Sequence, residues 1–152
     1  MNVAMLLDRS TAGIFEQRLR TVTAESRRRW GALEPPGMLT HLRLVFEGSL
    51  GRFKMEDKSN FVSRTVIRFL VLYVLPWPKG KIRVPESFTP KPEGGVDEER
   101  GRMLAVMREF VEAAACEPAR RARHPIFGNV TLRTWSRIHA LHLDHHLRQF
   151  GS

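Results

Sequence analysis

Apolar residues recur along most of the chain at the three- and four-residue steps of helices, not at the alternation of strands. Ile14, Phe15, Leu19 and Val22 form the first such stripe, with Ser10 placed to cap it and an arginine-rich turn running on to Trp30. Pro35 and Pro36 come next, tolerated in a first helical turn where a missing N–H costs nothing. Met38, Leu39, Leu42, Val45 and Phe46 then give a second buried stripe that stops near Gly48 or Gly51. The run from Phe61 to Leu75 (FVSRTVIRFLVLYVL) is rich in β-branched residues. It is long for a strand and has no visible hairpin partner, so the pattern predicts a buried helix.

Pro76, Pro78, Pro85, Pro90 and Pro92, with Gly80, Gly94 and Gly95, predict a non-helical excursion of the kind that covers a site. Asp97 is placed to cap a further helix, whose stripe is Met103, Leu104, Met107, Phe110, Val111 and Ala114 and whose end is marked by Pro118. A second loop, ARRARHPIFGN, leads to Thr131 as cap of a last helix ending at Gly151. Four or five amphipathic helices without strand pairs predict an all-α bundle. At 152 residues the chain has room for one core, so residues 1–152 are read as a single domain.

Composition adds boundaries to this picture. With 42% hydrophobic residues the chain is neither disordered nor membrane-like. Its longest apolar run falls short of the roughly 20 residues needed to span a bilayer, and it carries Arg64 and Arg68. The start, MNVAMLLDRS, lacks the features of a signal peptide, which makes the cytoplasm the expected location. Cys116 is the only cysteine, so a disulfide within the chain and a cysteine-based zinc site are excluded. It reads as a packing residue, and a protein-held metal would have to use His, Asp or Glu.

The net charge of +9 is concentrated in arginines, including Arg27–Arg29 and Arg120, Arg121 and Arg123. No nucleic-acid motif accompanies it, so an anionic small-molecule substrate is preferred to nucleic acid as a partner.

Four of the six histidines fall in HALHLDHHLRQF, residues 139–150. At about 100° per residue, His139, His142, His146 and Gln149 share one face, about 80° wide. Trp135, Ile138, Leu143 and Phe150 fall on or beside that face, with Arg137, Asp144 and Arg148 opposite. The histidines are therefore expected to face the core, with His145 at the edge. His142 and His146 are spaced to reach one metal ion from successive turns. His41, at the margin of the second helix's stripe, is the nearest candidate for a third ligand. Spacing alone leaves open hydrogen-bonded core histidines or a histidine-rich surface.

An isolated His41 in PPGMLTHL together with H-x-x-H-H-x-x-Q over His142 to Gln149 resembles the DinB-like metalloenzyme superfamily. The blocks RRRWGALEPPGMLTHL, LPWPKGK and HPIFGNVTLRTWSRIHALHLDHHLRQFG look like a bacterial branch of it with unknown function. The resemblance implies a four-helix bundle with long crossover connections, often a homodimer, holding a divalent ion through His41, His142 and His146. His145 and Gln149 match residues that neighbour the ligands, and His139 lies outside the motif, read as a core residue or a ligand's neighbour.

Zinc is the first expectation for the metal, with nickel or iron behind it. Some relatives are thiol-dependent transferases or isomerases, which implies a low-molecular-weight thiol as cosubstrate. A metal-dependent hydrolase is the alternative enzyme, with His145, His139 or His124 as candidate bases. A nucleic-acid-binding module and a metal-stabilised structural protein are the non-enzymatic alternatives. His124 is expected more simply to pin the HPIFG turn. Glu47 is expected to point away from His41, and Tyr73 and Trp77 are read as core.

Overall fold

The structure, a computed structural model, describes residues 5–78 and 91–152. Gly80, Pro85, Pro90 and the end of LPWPKGK lie outside the described residues.

The helical periodicity becomes four α-helices among the described residues: α1 (Ala12–Thr21), α2 (Pro35–Ser49), α3 (Val96–Cys116) and α4 (Leu132–Gln149). Helix α2 packs most extensively on α3, and α4 touches α1, α2 and α3, as expected of a helical bundle. Its core is drawn from the predicted stripes: Phe15 and Leu19 of α1, Met38, Leu39, Leu42 and Phe46 of α2, Met103, Met107 and Phe110 of α3, and Trp135, Ile138 and Leu143 of α4. No described helix is long and apolar enough to cross a membrane.

Several helix ends differ from the sequence reading. Thr11, not Ser10, is the N-cap of α1, and its side chain makes no capping bond. The preceding turn is closed by Asp8, whose Oδ1 accepts from the backbone N–H groups of Ser10 and Thr11. Gly95, not Asp97, precedes α3, because Glu99 one turn in is fully buried and holds the connection instead. Its Oε1 accepts from the N–H groups of Glu93 and Gly94, and its Oε2 accepts from the Thr40 hydroxyl of α2. Thr131 caps α4 as expected, accepting from the Thr134 N–H at 3.2 Å. Gly151 ends it with φ +80, a backbone position that favours glycine.

The segment ARRARHPIFGN is not a plain loop. Arg121–His124 (β1) and Gly128–Thr131 (β2) pair antiparallel, with Arg121 opposite Thr131 and His124 opposite Gly128. Hydrophobic alternation is weak there, because only Gly128 and Val130 face the core. What closes the hairpin is His124, whose Nδ1 accepts from the N–H groups of Ile126 and Phe127, each at 3.1 Å. The hairpin is tied to the bundle by the indole N–H of Trp135, which donates to the Ala122 carbonyl.

The largest departure lies at residues 61–74. They form a helix as predicted, but one dominated by π-helical turns, Ser63–Ile67 and Leu70–Val74. It is mostly not buried: only Ser63 and Leu72 are buried, with Val71 packed partly exposed against the core, whereas Phe61 is 80% and Phe69 58% exposed.

A second correction explains how this segment is held. Arg137, expected on the solvent side of α4, is 2% exposed. Its Nε donates to the Leu72 carbonyl at 3.0 Å and its Nη1 to the Met5 carbonyl at 2.8 Å, with the guanidinium 5.7 Å from the Tyr73 ring centre. The Leu72 carbonyl lies in the last turn of its helix, where no backbone donor follows, and Arg137 takes that donor's place while also binding Met5 of the N-terminal segment. Arg137→Met keeps the side chain's bulk and removes both bonds, so it is expected to destabilise the fold by roughly 3 kcal/mol. The shift of the urea midpoint at unchanged slope measures it, and an unshifted midpoint contradicts this role.

Candidate metal centre

Two helices build the site. Helix α4 carries His142 and His146 one turn apart, and α2 presents His41 from the facing side of the bundle. His41 and His146 are buried and His142 is half-buried. The three imidazoles meet through the same ring atom: His142 Nε2 lies 3.0 Å from His41 Nε2 and 3.0 Å from His146 Nε2. One nitrogen from each residue falls within 4.8 Å of the others, forming a group that could hold a metal ion, with no carboxylate among its described members. The predicted trio is thus brought together.

Hydrogen bonds on the far side decide the tautomer of His146. The Gln149 Nε2 donates to the Trp30 carbonyl at 2.6 Å, which turns Gln149 Oε1 toward His146 Nδ1 at 2.8 Å. His146 must therefore carry its proton on Nδ1, leaving an Nε2 lone pair aimed at the cluster. Gly31 makes room for this relay: its φ is +80, and a Cβ there would collide with the Gln149 amide.

Burial keeps His142 and His146 neutral. Burial lowers the His146 pKa to about 3, with the neighbouring His41 adding to the shift and the Gln149 bond opposing it. His142 is pushed well below the ordinary histidine value by burial first and then by His146 and His41. Neutral imidazoles with converging lone pairs are what a divalent metal requires.

Two-centre hydrogen bonds alone do not account for both 3.0 Å contacts. With His146 Nε2 bare, its contact with His142 is favourable only if His142 Nε2 carries a proton. That same nitrogen then has no lone pair left for His41. No tautomer assignment makes both 3.0 Å contacts good two-centre hydrogen bonds, whereas one cation among three lone pairs satisfies all of them.

The other histidines divide. His139 is fully buried and belongs to the core: it stacks on Phe46 with ring centres 3.7 Å apart, and its Nε2 lies 2.8 Å from the Ser49 hydroxyl. That hydroxyl donates to the Phe46 carbonyl, so His139 is the donor to Ser49 and its Nδ1 carries the lone pair. His124 serves the hairpin turn, and burial lowers its pKa to about 3. His145 borders the cluster, its ring centre 4.9 Å from that of His146.

Two aromatic residues were not assigned to the site by the sequence reading. Trp77, read there as core, stacks on His142 at 5.9 Å and tilts over His145 at 6.5 Å. Trp30 also lies beside His145, ring centres 5.7 Å apart, while its carbonyl anchors Gln149. Of the proline-rich excursion, Trp77 lies against the histidines, and residues 79–90 lie outside the described residues. Tyr73 instead faces Arg137. Glu47 pairs with Arg43 at 3.1 Å, in keeping with its expected absence from the site.

Replacing Gln149 by leucine removes the acceptor that fixes the His146 proton. Metal affinity is expected to fall 10- to 100-fold, the range typical of losing a partner that orients a ligand. Competition titration against a chromogenic chelator reads this, and an unchanged affinity would show that the relay does not matter.

A family profile described as "Protein of unknown function (DUF1569)" matches residues 8–152, and the chain belongs to that family. None of the curated proteins and none of the solved structures matches it.

Proposed function

We propose that this chain is a metal-dependent enzyme of the DinB-like type, holding a divalent ion through His41, His142 and His146. The observation that carries the reading is the convergence of three Nε2 atoms whose two 3.0 Å contacts no tautomer assignment turns into two good two-centre hydrogen bonds. The resemblance of PPGMLTHL and HLDHHLRQ to that superfamily supports it independently. Zinc is the favoured ion, nickel or iron the next, because imidazole donors suit all three.

Three protein ligands leave coordination positions for a substrate. A divalent ion there supplies Lewis acidity and lowers the pKa of a thiol or water brought to it. The chain's residues supply the rest. Gln149 fixes the proton of His146, Trp77 stacks on His142, and His145, beside both Trp30 and Trp77, is assigned the exchange of a proton with a bound molecule.

Thiol-dependent transfer or isomerisation is favoured over hydrolysis by the superfamily resemblance. His139 is committed to the core and His124 to the hairpin turn, so that of the candidate bases only His145 borders the cluster, and the carboxylates offer no further one. Hydrolysis calls for a general base. Asp144 on the same helix is bonded to Arg18 and to Arg148, each at 2.9 Å, and Glu47 to Arg43. A thiol nucleophile needs no such base once its pKa is lowered. The net charge of +9 suits a carboxylate-bearing low-molecular-weight thiol as cosubstrate.

Elemental analysis of untagged protein tests the metal, and a cobalt-substituted sample tests the thiol. Adding glutathione, cysteine and similar thiols is expected to produce a thiolate-to-metal absorption band in the cobalt protein. Stoichiometric cobalt with no such band for any of them would leave the metal site standing and remove the thiol reading.

A further inference from the structure

The arginines of β1 and of the turn before it take no part in the metal centre. Together with Lys54, the side chains of Arg120, Arg121 and Arg123 line a cavity of about 300 Å³ between the hairpin and the end of α2. Gly48 and Gly51 close it on the α2 side, and Phe53, Met55 and Ala122 give it apolar walls. No carboxylate is among its described lining residues.

The cavity is remote from the histidine cluster. Along α2 the order is His41, Phe46, Gly48, and along α4 toward the hairpin it is His146, His142, His139, Trp135. Phe46 stacks on His139, the His139 ring centre lies 5.1 Å from that of Trp135, and the Trp135 indole donates to Ala122 of the cavity wall. A buried layer of rings therefore separates the two places.

Charge in the cavity is largely unmatched. Arg9, Arg18, Arg43 and Arg108 each meet a carboxylate elsewhere on the bundle. In the cavity Arg120 does so, with Glu117 at 3.4 Å. Among the described residues no carboxylate pairs with Lys54, Arg121 or Arg123. Asp57, whose charge Arg123 helps to hold, is already bonded to the Ser59 N–H at 3.0 Å and to Arg64 at 3.3 Å. Like charges around one hollow repel, and a bound anion relieves that repulsion.

Two of the guanidinium groups are also held in place. Arg121 Nη1 donates to the Asn129 carbonyl across the hairpin, and Arg120 Nη2 donates to the Leu50 carbonyl at the end of α2, each at 2.9 Å. A guanidinium carries five N–H donors, so Arg121 keeps several for a ligand after this anchoring. Arg121 and Arg123 are two apart on one strand, which puts them on the same face.

We propose that this cavity is a second ligand site, independent of the ion held by the histidines, which takes a small organic phosphate such as a phosphomonoester. A monocarboxylate balances only one unmatched cation, whereas a phosphoryl group brings up to about two charges and three acceptor oxygens that suit the guanidinium fork. The apolar walls of Phe53 and Met55 suit the organic part of such a ligand. The volume matches the lower end of small-molecule sites, about 300 Å³. Nucleic acid calls for an extended basic track. Here the surface beyond the hairpin passes instead to the 61–74 helix, with Phe61, Val62 and Val66 exposed.

Calorimetric titration of the metal-loaded protein with inorganic pyrophosphate at fixed ionic strength tests this. A single equivalent is expected to bind. Protein carrying both Arg121→Gln and Arg123→Gln, altered only at exposed positions, is expected to bind at least about 10-fold more weakly with an unchanged circular dichroism spectrum. The His142→Ala protein is expected to bind pyrophosphate as tightly as wild type, and loss of binding there would put the anion on the metal and overturn the proposal. Phenyl phosphate is expected to bind more tightly than inorganic phosphate, and equal affinities would overturn an organic ligand. A wild type that binds no pyrophosphate, a folded double variant that binds it undiminished, or tricarballylate bound as tightly as pyrophosphate would each overturn the phosphate assignment. Duplex DNA held by the wild type and released by the double variant would assign the cavity to nucleic acid instead.

Discussion

Substituting His142 by alanine is expected to abolish stoichiometric binding of a divalent ion while leaving the helical bundle folded. His142 is the hinge of the cluster: both 3.0 Å contacts run through its Nε2, and removing it leaves His41 and His146 without the nitrogen that links them. A two-imidazole remnant loses a first ligand, a heavier loss than the 10- to 100-fold that follows from disturbing a ligand's orientation. The variant should purify with far less than one equivalent of metal, and its affinity by competition titration should fall by more than 100-fold. Folding should survive because His142 is only half-buried, unlike Trp135 and Leu143 on the same helix. The wild-type protein should also gain thermal stability from added metal, about 4 kcal/mol at a thousand-fold excess over Kd, and the variant should not. Equal metal content in the two proteins would sink the three-histidine centre, whatever other activity the chain has.

The site was more legible in the sequence than parts of the fold, and the reason is geometric. His142, His146 and Gln149 lie on one helix, where spacing alone dictates a shared face, and His41 lies on a second helix with a clear stripe. What the period could not supply was anything arriving from a connection. Trp77 and Trp30 reach the histidines from segments without regular structure, so no periodicity places them. The β1–β2 hairpin was missed because its closure depends on one imidazole accepting two backbone bonds, not on alternating hydrophobicity.

Arg137 and the 61–74 helix failed together, for the opposite reason. Each was assigned by hydropathy, arginine outward and an apolar run inward. The structure reverses both, because two backbone carbonyls need a donor inside while the bundle is already filled by α1 to α4. Hydropathy specifies what a side chain prefers, and the bundle's capacity decides which residues obtain it.

Acid should unfold the metal-free protein steeply, well above the pH at which its carboxylates titrate. His124 and His146 have folded pKa values lowered to about 3, and His139 and His142 lie well below the ordinary value, in every case chiefly through burial. In the unfolded chain all four return to about 6.5. Below that pH the unfolded state binds protons that the folded state refuses, so stability is complete above pH 6.5 and is lost as pH falls from there toward 3. Each fully neutral histidine contributes up to about 1.4 kcal/mol per pH unit once the unfolded chain is charged. Four acting together give a limiting slope of about 5 kcal/mol per unit, comparable within two units to the entire stability of a small domain. Urea unfolding of apo-protein between pH 7.5 and 5 measures that slope. His139→Phe keeps a ring against Phe46 and deletes one buried titratable group, and it should reduce the slope by about a quarter. Metal-loaded protein should be more stable throughout this range but lose stability with about the same slope, since His142 and His146 carry no titrating proton in the folded state with or without the ion. A stability that is flat from pH 7 to 5 in the apo-protein would mean that these histidines are not held neutral, and the lone pairs required at the metal centre would lose their physical basis.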